Sequence, residues 1–287
     1  MLSSIKRQYQ LWQHRNLLQD FPVCFIVSTG RTGTKFFESF FSELVPSVYC
    51  AHEPAPDLFD LGVGLFRGKI LTRQAVRALR RSRLSMLLKA TQSGQAIYIE
   101  SNPNASLLLP QIKVAFPNYR ILWITRDIKT YLPSAYNKSP EGSGDMYLYG
   151  QRDHRQRLTA LDIPDDPWRS EWKTFSRPER IAWWWQKCNR LILDYCQDDD
   201  RCLKIRFEDL FTGASGADTV RKILSFLRLD NTTHIKESDI LRILKKKQNK
   251  TKETLLRHFE ELSDKERTQV QNIAGSVAEK LGYGFDT

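Results

Sequence analysis

The chain has 287 residues, of which 41% are hydrophobic and 27% charged, and it is long enough to bury one large core. Its 44 Lys and Arg residues outnumber the 33 Asp and Glu residues, so the net charge of +11 favours anionic partners such as nucleotides, sulfated or phosphorylated molecules, nucleic acid or a membrane surface. No apolar stretch reaches the ~18 residues of a membrane span, and the N-terminus lacks the apolar region of a secretory signal. We therefore expect a cytoplasmic protein.

The pattern along the chain indicates one main domain. Residues 1–20 have apolar side chains at helical spacing and predict an amphipathic helix. We expect residues 21–287 to form a single domain with a polar insertion at about 137–177, which is rich in Gly, Pro and charge. The 5 cysteines show no C-x-x-C spacing, so neither a disulfide framework nor a zinc site is expected.

The stretch from Phe21 to Phe41 combines a strand, a loop and the start of a helix. Residues 23–27 are apolar and rich in β-branched side chains, which predicts a buried strand. Small, hydroxyl-bearing and basic residues follow, and phenylalanines then recur at helical spacing. Two glycines at a helix N-terminus allow an anion to approach free N–H groups, so we expect this loop to bind a phosphate.

Further strands alternate with helical segments, which predicts an α/β fold with a central parallel sheet flanked by helices. The predicted strands include a short one after residue 47 and the runs at 96–100, 119–125 and 202–209. Helices are expected at 104–116 and at 178–195, and in the second the consecutive Trp183, Trp184 and Trp185 spread over about 200°, so they cannot all face the core. Ligands of such sheets bind at the carboxyl ends of the strands. Arg126 follows one of these ends directly.

The loop Gly30-Arg31-Thr32-Gly33-Thr34 resembles the 5′-phosphosulfate loop of the sulfotransferases, which use 3′-phosphoadenosine 5′-phosphosulfate as donor. That family places Lys or Arg, then Ser or Thr, before the second glycine. An ATP or GTP P-loop instead needs four residues between its glycines, and this loop has two. The resemblance implies a P-loop-like sulfotransferase fold.

A second motif matches the same family. Sulfotransferases hold the 3′-phosphate of the donor with an Arg at a strand end and a Ser eight residues later, and Arg126 and Ser134 have this spacing. Pro133 is awkward inside a helix, so it predicts either a kink or a delayed helix start. The resemblance also implies donor contacts in a basic segment near residues 245–250, from Lys247, Asn249 and Lys250. The segment Arg206 to Leu210 also resembles a family motif, and we expect a mainly structural role for it.

The resemblance implies transfer of a sulfuryl group to an acceptor hydroxyl or amine, with adenosine 3′,5′-bisphosphate as product and no metal. Arg31 and Lys35 would stabilise the leaving phosphate. Members with Arg in the loop, such as tyrosylprotein and carbohydrate sulfotransferases, place a Glu about twenty residues later. Glu53 is therefore the first candidate for the general base and His52 the second. The sequence departs from the tyrosylprotein enzymes at Ser101, where they carry a Lys.

Two other classes of function stay open at this point. A nucleotide kinase or other P-loop NTPase shares the predicted topology, and a non-enzymatic basic protein would also explain the net charge of +11. Nucleic acid is disfavoured because Phe66 is the only aromatic residue in the basic stretch from Leu65 to Ala90, which we expect to be a solvated helix. The acceptor alternatives are a saccharide, glycolipid, peptide or small phenol, and the sequence predicts no oligomeric state.

Overall fold

Five parallel strands form the centre of the chain in a computed structural model that describes residues 9–138, 157–229, 235–246 and 254–285. They are β1 (Val23–Ser28), β2 (Val48–His52), β3 (Ile97–Ser101), β4 (Tyr119–Thr125) and β5 (Cys202–Arg206). Their order in the sheet is β2-β3-β1-β4-β5, and every pairing is parallel. All residues of β1 and β3 are buried because helices cover both faces of the sheet. The predicted fold class is confirmed.

The helices follow the strands in alternation and pack on both faces. They are α1 (Arg15–Asp20), α2 (Lys35–Leu44), α3 (Phe59–Phe66), α4 (Thr72–Gln92), α5 (Leu109–Ala115), α6 (Ile128–Tyr136), α7 (Arg177–Cys196), α8 (Phe207–Phe211), α9 (Gly216–Phe226), α10 (Glu237–Leu244) and α11 (Asp264–Lys280). The core of one face contains α2, α9 and α10, and that of the other contains α4 to α7 and α11. None of these described helices has the length and apolar character needed to cross a bilayer.

Two predicted helices are each divided into two. The stretch expected to be helical from residue 65 to 90 ends at Phe66 and resumes at Thr72, because Gly68 adopts a left-handed φ of 67° that ends the first helix. The helix expected at 104–116 is a 3₁₀ helix over Pro103–Leu107 followed by α5.

One arginine of the basic helix α4 is buried rather than solvated. The Arg83 side chain has no exposed surface, and its Nε and Nη2 donate to the two carboxylate oxygens of Glu100 at 2.6 and 2.7 Å. Its Nη1 donates to the carbonyl of Pro56 at 2.9 Å, and the Tyr98 hydroxyl donates to Glu100 at 2.8 Å. The expectation of a wholly solvated helix is therefore wrong at Arg83, because Glu100 at the end of β3 supplies a buried partner.

Leu158, Ala160, Trp172 and Phe175 lie in the core, although the polar composition of their segment predicted a connection outside it. Leu158 and Trp172 are buried, and the Trp172 ring packs edge-to-face on that of Trp183 at 5.0 Å. A few apolar anchors thus tie a polar segment to the body of the domain. The boundaries of the predicted insertion at 137–177 stay a prediction, since residues 139–156 lie outside the described residues.

Three consecutive tryptophans of α7 are all buried, although their spread of about 200° around the helix indicated that they cannot all face the core. Trp183, Trp184 and Trp185 have exposed fractions of 0%, 5% and 0%. The reason is that α7 is enclosed on several sides, by the sheet, by α6 and by α11. The expectation was wrong because it assumed that the helix has a solvent-facing side at this point.

Breaking the buried ion pair should strongly destabilise the fold. Arg83→Met leaves the Glu100 carboxylate buried without its cation, and removal of one member of such a pair costs about 3–5 kcal/mol. Chemical unfolding should show this loss of unfolding free energy. Arg81→Met is a matched control on the same helix, because Arg81 is exposed, and it should change stability by no more than about 0.5 kcal/mol. Equal effects of the two substitutions would contradict the assignment.

Candidate active site

The anion loop, residues 28–35, connects the end of β1 to the start of α2. Gly30, Arg31 and Gly33 adopt left-handed backbone with φ of 80°, 56° and 73°. This conformation suits glycine, but at Arg31 it carries strain that the surrounding contacts must offset. Strain of this kind is concentrated at functional sites.

Gly33 is required by both its backbone and its surroundings. A Cβ at this position would lie 2.5 Å from the ring of Phe211 in α8. Gly30 differs, since the nearest atom to a Cβ there is a side-chain carbon of Pro103 at 3.9 Å. The second glycine of the motif thus lets the anion loop pack directly against an aromatic ring.

Four consecutive backbone N–H groups of the anion loop are available to a ligand. Those of residues 32–35 donate to no acceptor within the described parts of the chain. The Thr32 hydroxyl oxygen is buried and also has no hydrogen-bond partner there. Buried polar groups are normally paired, so this set of donors at the positive end of α2 fits an anionic ligand.

Arg126, directly after β4, extends toward the anion loop. Its Nη1 donates to the carbonyl of Arg31 at 2.6 Å, its Nε donates to the Thr130 hydroxyl at 3.1 Å, and its guanidinium lies 4.2 Å from the centre of the Phe207 ring. These contacts include no carboxylate. Burial lowers the pKa of Arg126 to about 10, an effect that Glu208 opposes and Arg31 increases. The Arg126 guanidinium is half-buried and has no carboxylate among these contacts, so it is suited to a phosphate.

Ser134 lies beside the same loop. The Nε of Arg31 donates to the hydroxyl of Ser134 at 3.3 Å and to its carbonyl at 3.2 Å. Helix α6 begins at Ile128 and continues through Pro133, so the proline does not delay the helix start. The structure thus brings together Arg31, Arg126 and Ser134, which are far apart in sequence.

His52 and Glu53 lie at the carboxyl end of β2. The Nδ1 of His52 is 2.9 Å from the carbonyl oxygen of Ser101, and the backbone N–H of Glu53 donates to the same oxygen at 3.0 Å. Because a carbonyl only accepts, Nδ1 carries the proton and Nε2 of the neutral ring is an acceptor. Nε2 lies 3.8 Å from the Glu53 carboxylate, and Glu53 has a left-handed φ of 45°.

Ser101 and Asn102, at the carboxyl end of β3, have structural contacts. The Ser101 hydroxyl donates to the carbonyl of Thr34 at 2.6 Å and so links β3 to the anion loop. The Asn102 amide donates to Glu100 at 2.8 Å, and its oxygen accepts from the N–H of Asn104 at 3.0 Å. The buried pair of Arg83 and Glu100 therefore contacts both the segment after Glu53, at Pro56, and the turn after β3, at Asn102.

One cleft of about 1040 Å³ joins these groups. Its lining includes most of the residues predicted for the site: Gly30, Arg31, Gly33, Thr34, Lys35, His52, Glu53, Arg126 and Ser134. Thr32 is buried beneath this surface. Lys247, Asn249 and Lys250 lie outside the described residues, and the preceding Lys245 and Lys246 line the cleft.

An apolar wall completes the cleft, and the sequence did not assign it. Its members are aromatic and aliphatic residues of the three helices α2, α8 and α10: Phe36, Phe207, Leu210, Phe211, Leu241 and Leu244. The expectation of a mainly structural role for residues 206–210 was incomplete, since Phe207 and Leu210 face the cleft. A signal was present, because Phe207 and Phe211 are four residues apart and follow a strand that ends at this edge.

Within the described residues, no group of three or more His, Cys, Asp or Glu side chains is arranged to hold a metal ion. The charged groups that line the cleft are mostly cationic, with Glu53 as a carboxylate exception. This arrangement favours an anionic ligand.

The comparisons with known proteins agree with the fold and the motifs. A family model described as "Sulfotransferase family" matches residues 22–233, which is well over half of the chain. The chain belongs to this family. A comparison with curated protein sequences gives no match.

Two solved structures have a similar fold. One is the sulfotransferase domain from the Synechococcus PCC 7002 olefin synthase, with 13% identity, a TM-score of 0.53, and coverage of 93% of this chain and 97% of that one. The other is the sulfotransferase STF9 from Mycobacterium avium, with 13% identity, a TM-score of 0.53, and coverage of 96% and 81%. At these identities the likeness supports the fold alone.

Gly33→Ala should remove anion binding at the loop. The new Cβ meets the Phe211 ring, and left-handed backbone costs a residue with a Cβ about 1–2 kcal/mol. Gly94→Ala is a matched control, because Gly94 has a φ of 70° and open space around it. Titration with adenosine 3′,5′-bisphosphate should show loss of binding only for Gly33→Ala. Retained binding would mean that the loop does not contact the anion.

Proposed function

We propose that the chain transfers a sulfuryl group from 3′-phosphoadenosine 5′-phosphosulfate to a hydroxyl or amine of an acceptor. The observation that carries the proposal is the contact of Arg126 with the carbonyl of Arg31 at 2.6 Å, which joins the anion loop to a second cationic group in one cleft. A nucleotide with phosphates at its 5′ and 3′ positions needs two such groups. Membership of the sulfotransferase family supports the same donor.

The anion loop would hold the 5′ end of the donor. Its N–H groups at residues 32–35 lack acceptors among the described residues, and the buried Thr32 hydroxyl lacks a partner there too. An anion at this position would accept from the N–H groups that face the cleft. Gly33 lets the loop keep its left-handed backbone against the Phe211 ring, and this conformation presents the N–H groups to the ligand.

Arg126 and Ser134 would hold the 3′-phosphate. A guanidinium binds phosphate with two parallel hydrogen bonds, and the Arg126 side chain has no carboxylate among the contacts described above. The apolar wall at Phe207 and Phe211 offers ring faces to a purine. Contacts from Lys247, Asn249 and Lys250 remain part of the proposal.

When bound, the donor supplies a sulfuryl group whose bond to the bridging oxygen breaks as the acceptor attacks sulfur. The role of the protein is to stabilise the negative charge that collects on the 5′-phosphate. Arg31, Lys35 and the loop N–H groups are placed for this, since all of them belong to the strand-to-helix turn at the cleft. Holding both reactants in one cleft adds the advantage of orientation.

Glu53 is the proposed general base that takes the acceptor proton. Its carboxylate is 40% exposed and lines the cleft, and its backbone is fixed by the hydrogen bond to Ser101. His52 is the alternative, because its Nε2 is an acceptor when Nδ1 binds the Ser101 carbonyl. In either case the neighbouring group, 3.8 Å away, stabilises the protonated base.

Arg126→Ala should weaken the binding of adenosine 3′,5′-bisphosphate far more than that of 5′-AMP, because only the former has a 3′-phosphate. Loss of a charged hydrogen bond costs about 1.5–3 kcal/mol, so we expect a decrease of about 10- to 100-fold for the bisphosphate. Calorimetric titration measures both ligands. Arg120→Ala is the control on the opposite end of the same strand and should change neither affinity. Equal losses for both ligands would remove the 3′-phosphate assignment.

Glu53→Gln should leave the affinity for the bisphosphate within about twofold and reduce turnover by about 10²–10⁴-fold, the usual contribution of a general base. Turnover is the release of bisphosphate from the donor in the presence of a pool of candidate acceptors. Asp60→Asn, on the exposed side of the neighbouring helix α3, is the control. Retained turnover in Glu53→Gln would move the base to His52.

A further inference from the structure

Each of the three consecutive tryptophans in α7 donates a hydrogen bond from its indole N–H, but the acceptors differ. Trp184 donates to the carbonyl of Thr29 at 3.1 Å, and Trp185 donates to the carbonyl of Arg126 at 2.9 Å. Trp183 donates to the side chain of Asp166 at 3.1 Å, in the segment that covers α7. Two neighbouring indoles thus bind the backbone at the ends of β1 and β4.

These two carbonyls belong to the two halves of the cleft. The Thr29 carbonyl is in the anion loop directly before Gly30, and that of Arg126 is on the residue proposed to bind the 3′-phosphate. A peptide bond is planar, so a bond that fixes a carbonyl also fixes the N–H of the next residue. Trp184 therefore orients the peptide between Thr29 and Gly30, and Trp185 orients the peptide that follows Arg126.

Trp184 and Trp185 are adjacent on one helix, so their acceptors are held at a set separation. The helix is buried at this point, and a buried carbonyl that loses its donor carries a desolvation cost of about 1–3 kcal/mol. Two other side chains also donate to carbonyls at the start of the anion loop. The Tyr131 hydroxyl also donates to the Thr29 carbonyl, at 3.3 Å, and the Cys188 thiol donates to that of Ser28, at 3.4 Å.

We propose that Trp184 and Trp185 are positioning residues that set the distance between the 5′-phosphate and 3′-phosphate subsites. This inference rests on the proposed function for the identity of the two ligand groups. The pair selects nucleotides that carry both phosphates, because it fixes the spacing between the subsites without contacting the ligand. Trp183, equally buried but bonded elsewhere, has no part in this selection.

The test compares Trp184→Phe, Trp185→Phe and Trp183→Phe. All three remove one indole N–H from a buried ring of the same helix, so their effects on thermal stability should be similar. Affinities for adenosine 3′,5′-bisphosphate, 5′-AMP and 3′-AMP are then measured on each variant. We expect Trp184→Phe and Trp185→Phe to lose about 10-fold in bisphosphate affinity, as 1.4 kcal/mol would give, and less than about threefold for each monophosphate. Trp183→Phe should keep the wild-type ratio.

Selectivity that is unchanged in Trp184→Phe and Trp185→Phe, or lost equally in Trp183→Phe, would overturn the proposal. Tyr131→Phe removes a single hydroxyl and is the milder variant if the tryptophan variants do not fold. It should reduce the bisphosphate preference in the same direction, and an unchanged preference would count against the pair.

A ligand-free measurement separates this proposal from the proposed function. Wild-type protein that binds none of the three nucleotides would refute the donor assignment. Hydrogen exchange then decides the positioning role, since Trp184→Phe should speed exchange at Gly30, whose N–H donates to the Ser28 hydroxyl, and Trp185→Phe at the hydrogen-bonded N–H groups of Asp127, Lys129 and Thr130. The same rates in these variants as in Trp183→Phe would show that the tryptophans only fill the core.

Discussion

The hydrogen bond from the Arg126 guanidinium to the carbonyl of Arg31 is the interaction on which the site depends. It joins the end of β4 to the anion loop after β1, and the distance from Nη1 of Arg126 to the carbonyl oxygen of Arg31 is 2.6 Å. The contact exists because β1 and β4 are adjacent parallel strands, with Ser28 in register with Ile124. Arg126 is thus only two residues beyond this pair. Its side chain is therefore close enough to contact the loop that follows β1. Topology, rather than sequence distance, assembles the two halves of the cleft.

Around this contact, buried polar groups hold the backbone in place. On one side, Arg83 of α4 donates to Glu100 and to the carbonyl of Pro56. These bonds hold the segment after Glu53 against α4. On the other side, the indoles of Trp184 and Trp185 fix the strand ends. Such groups are expensive to bury unless every donor and acceptor is satisfied, which favours a single arrangement of the loops. The N–H groups of residues 32–35, which have no acceptor among the described residues, are then presented to the proposed ligand.

The sequence was sufficient for the parallel sheet and for the strand-to-helix loop that, with Arg126 and Ser134, lines one cleft, because these depend on local pattern and on short motifs. It was insufficient for Arg83, since helical periodicity and charge give no sign that Glu100 lies opposite. The burial of all three tryptophans of α7 was missed for a related reason: it requires knowledge of what encloses the helix. The apolar wall was missed because the segment Arg206 to Leu210 was given a mainly structural role and Phe211 was given none, although the spacing of Phe207 and Phe211 after a strand was visible. A local sequence pattern does not show which side chains are buried by elements that are distant in the sequence.

The most direct test of this account is calorimetric titration of the purified protein without metal, with adenosine 3′,5′-bisphosphate and, separately, with ATP and magnesium. The account predicts micromolar binding of the bisphosphate and little binding of ATP, because it proposes one subsite for a 5′-phosphate and a second for a 3′-phosphate. Preferential binding of ATP with magnesium would contradict it and assign the loop to a nucleoside triphosphate. If neither nucleotide binds, the proposed donor site would be refuted, and a basic anion-binding protein would be the remaining interpretation.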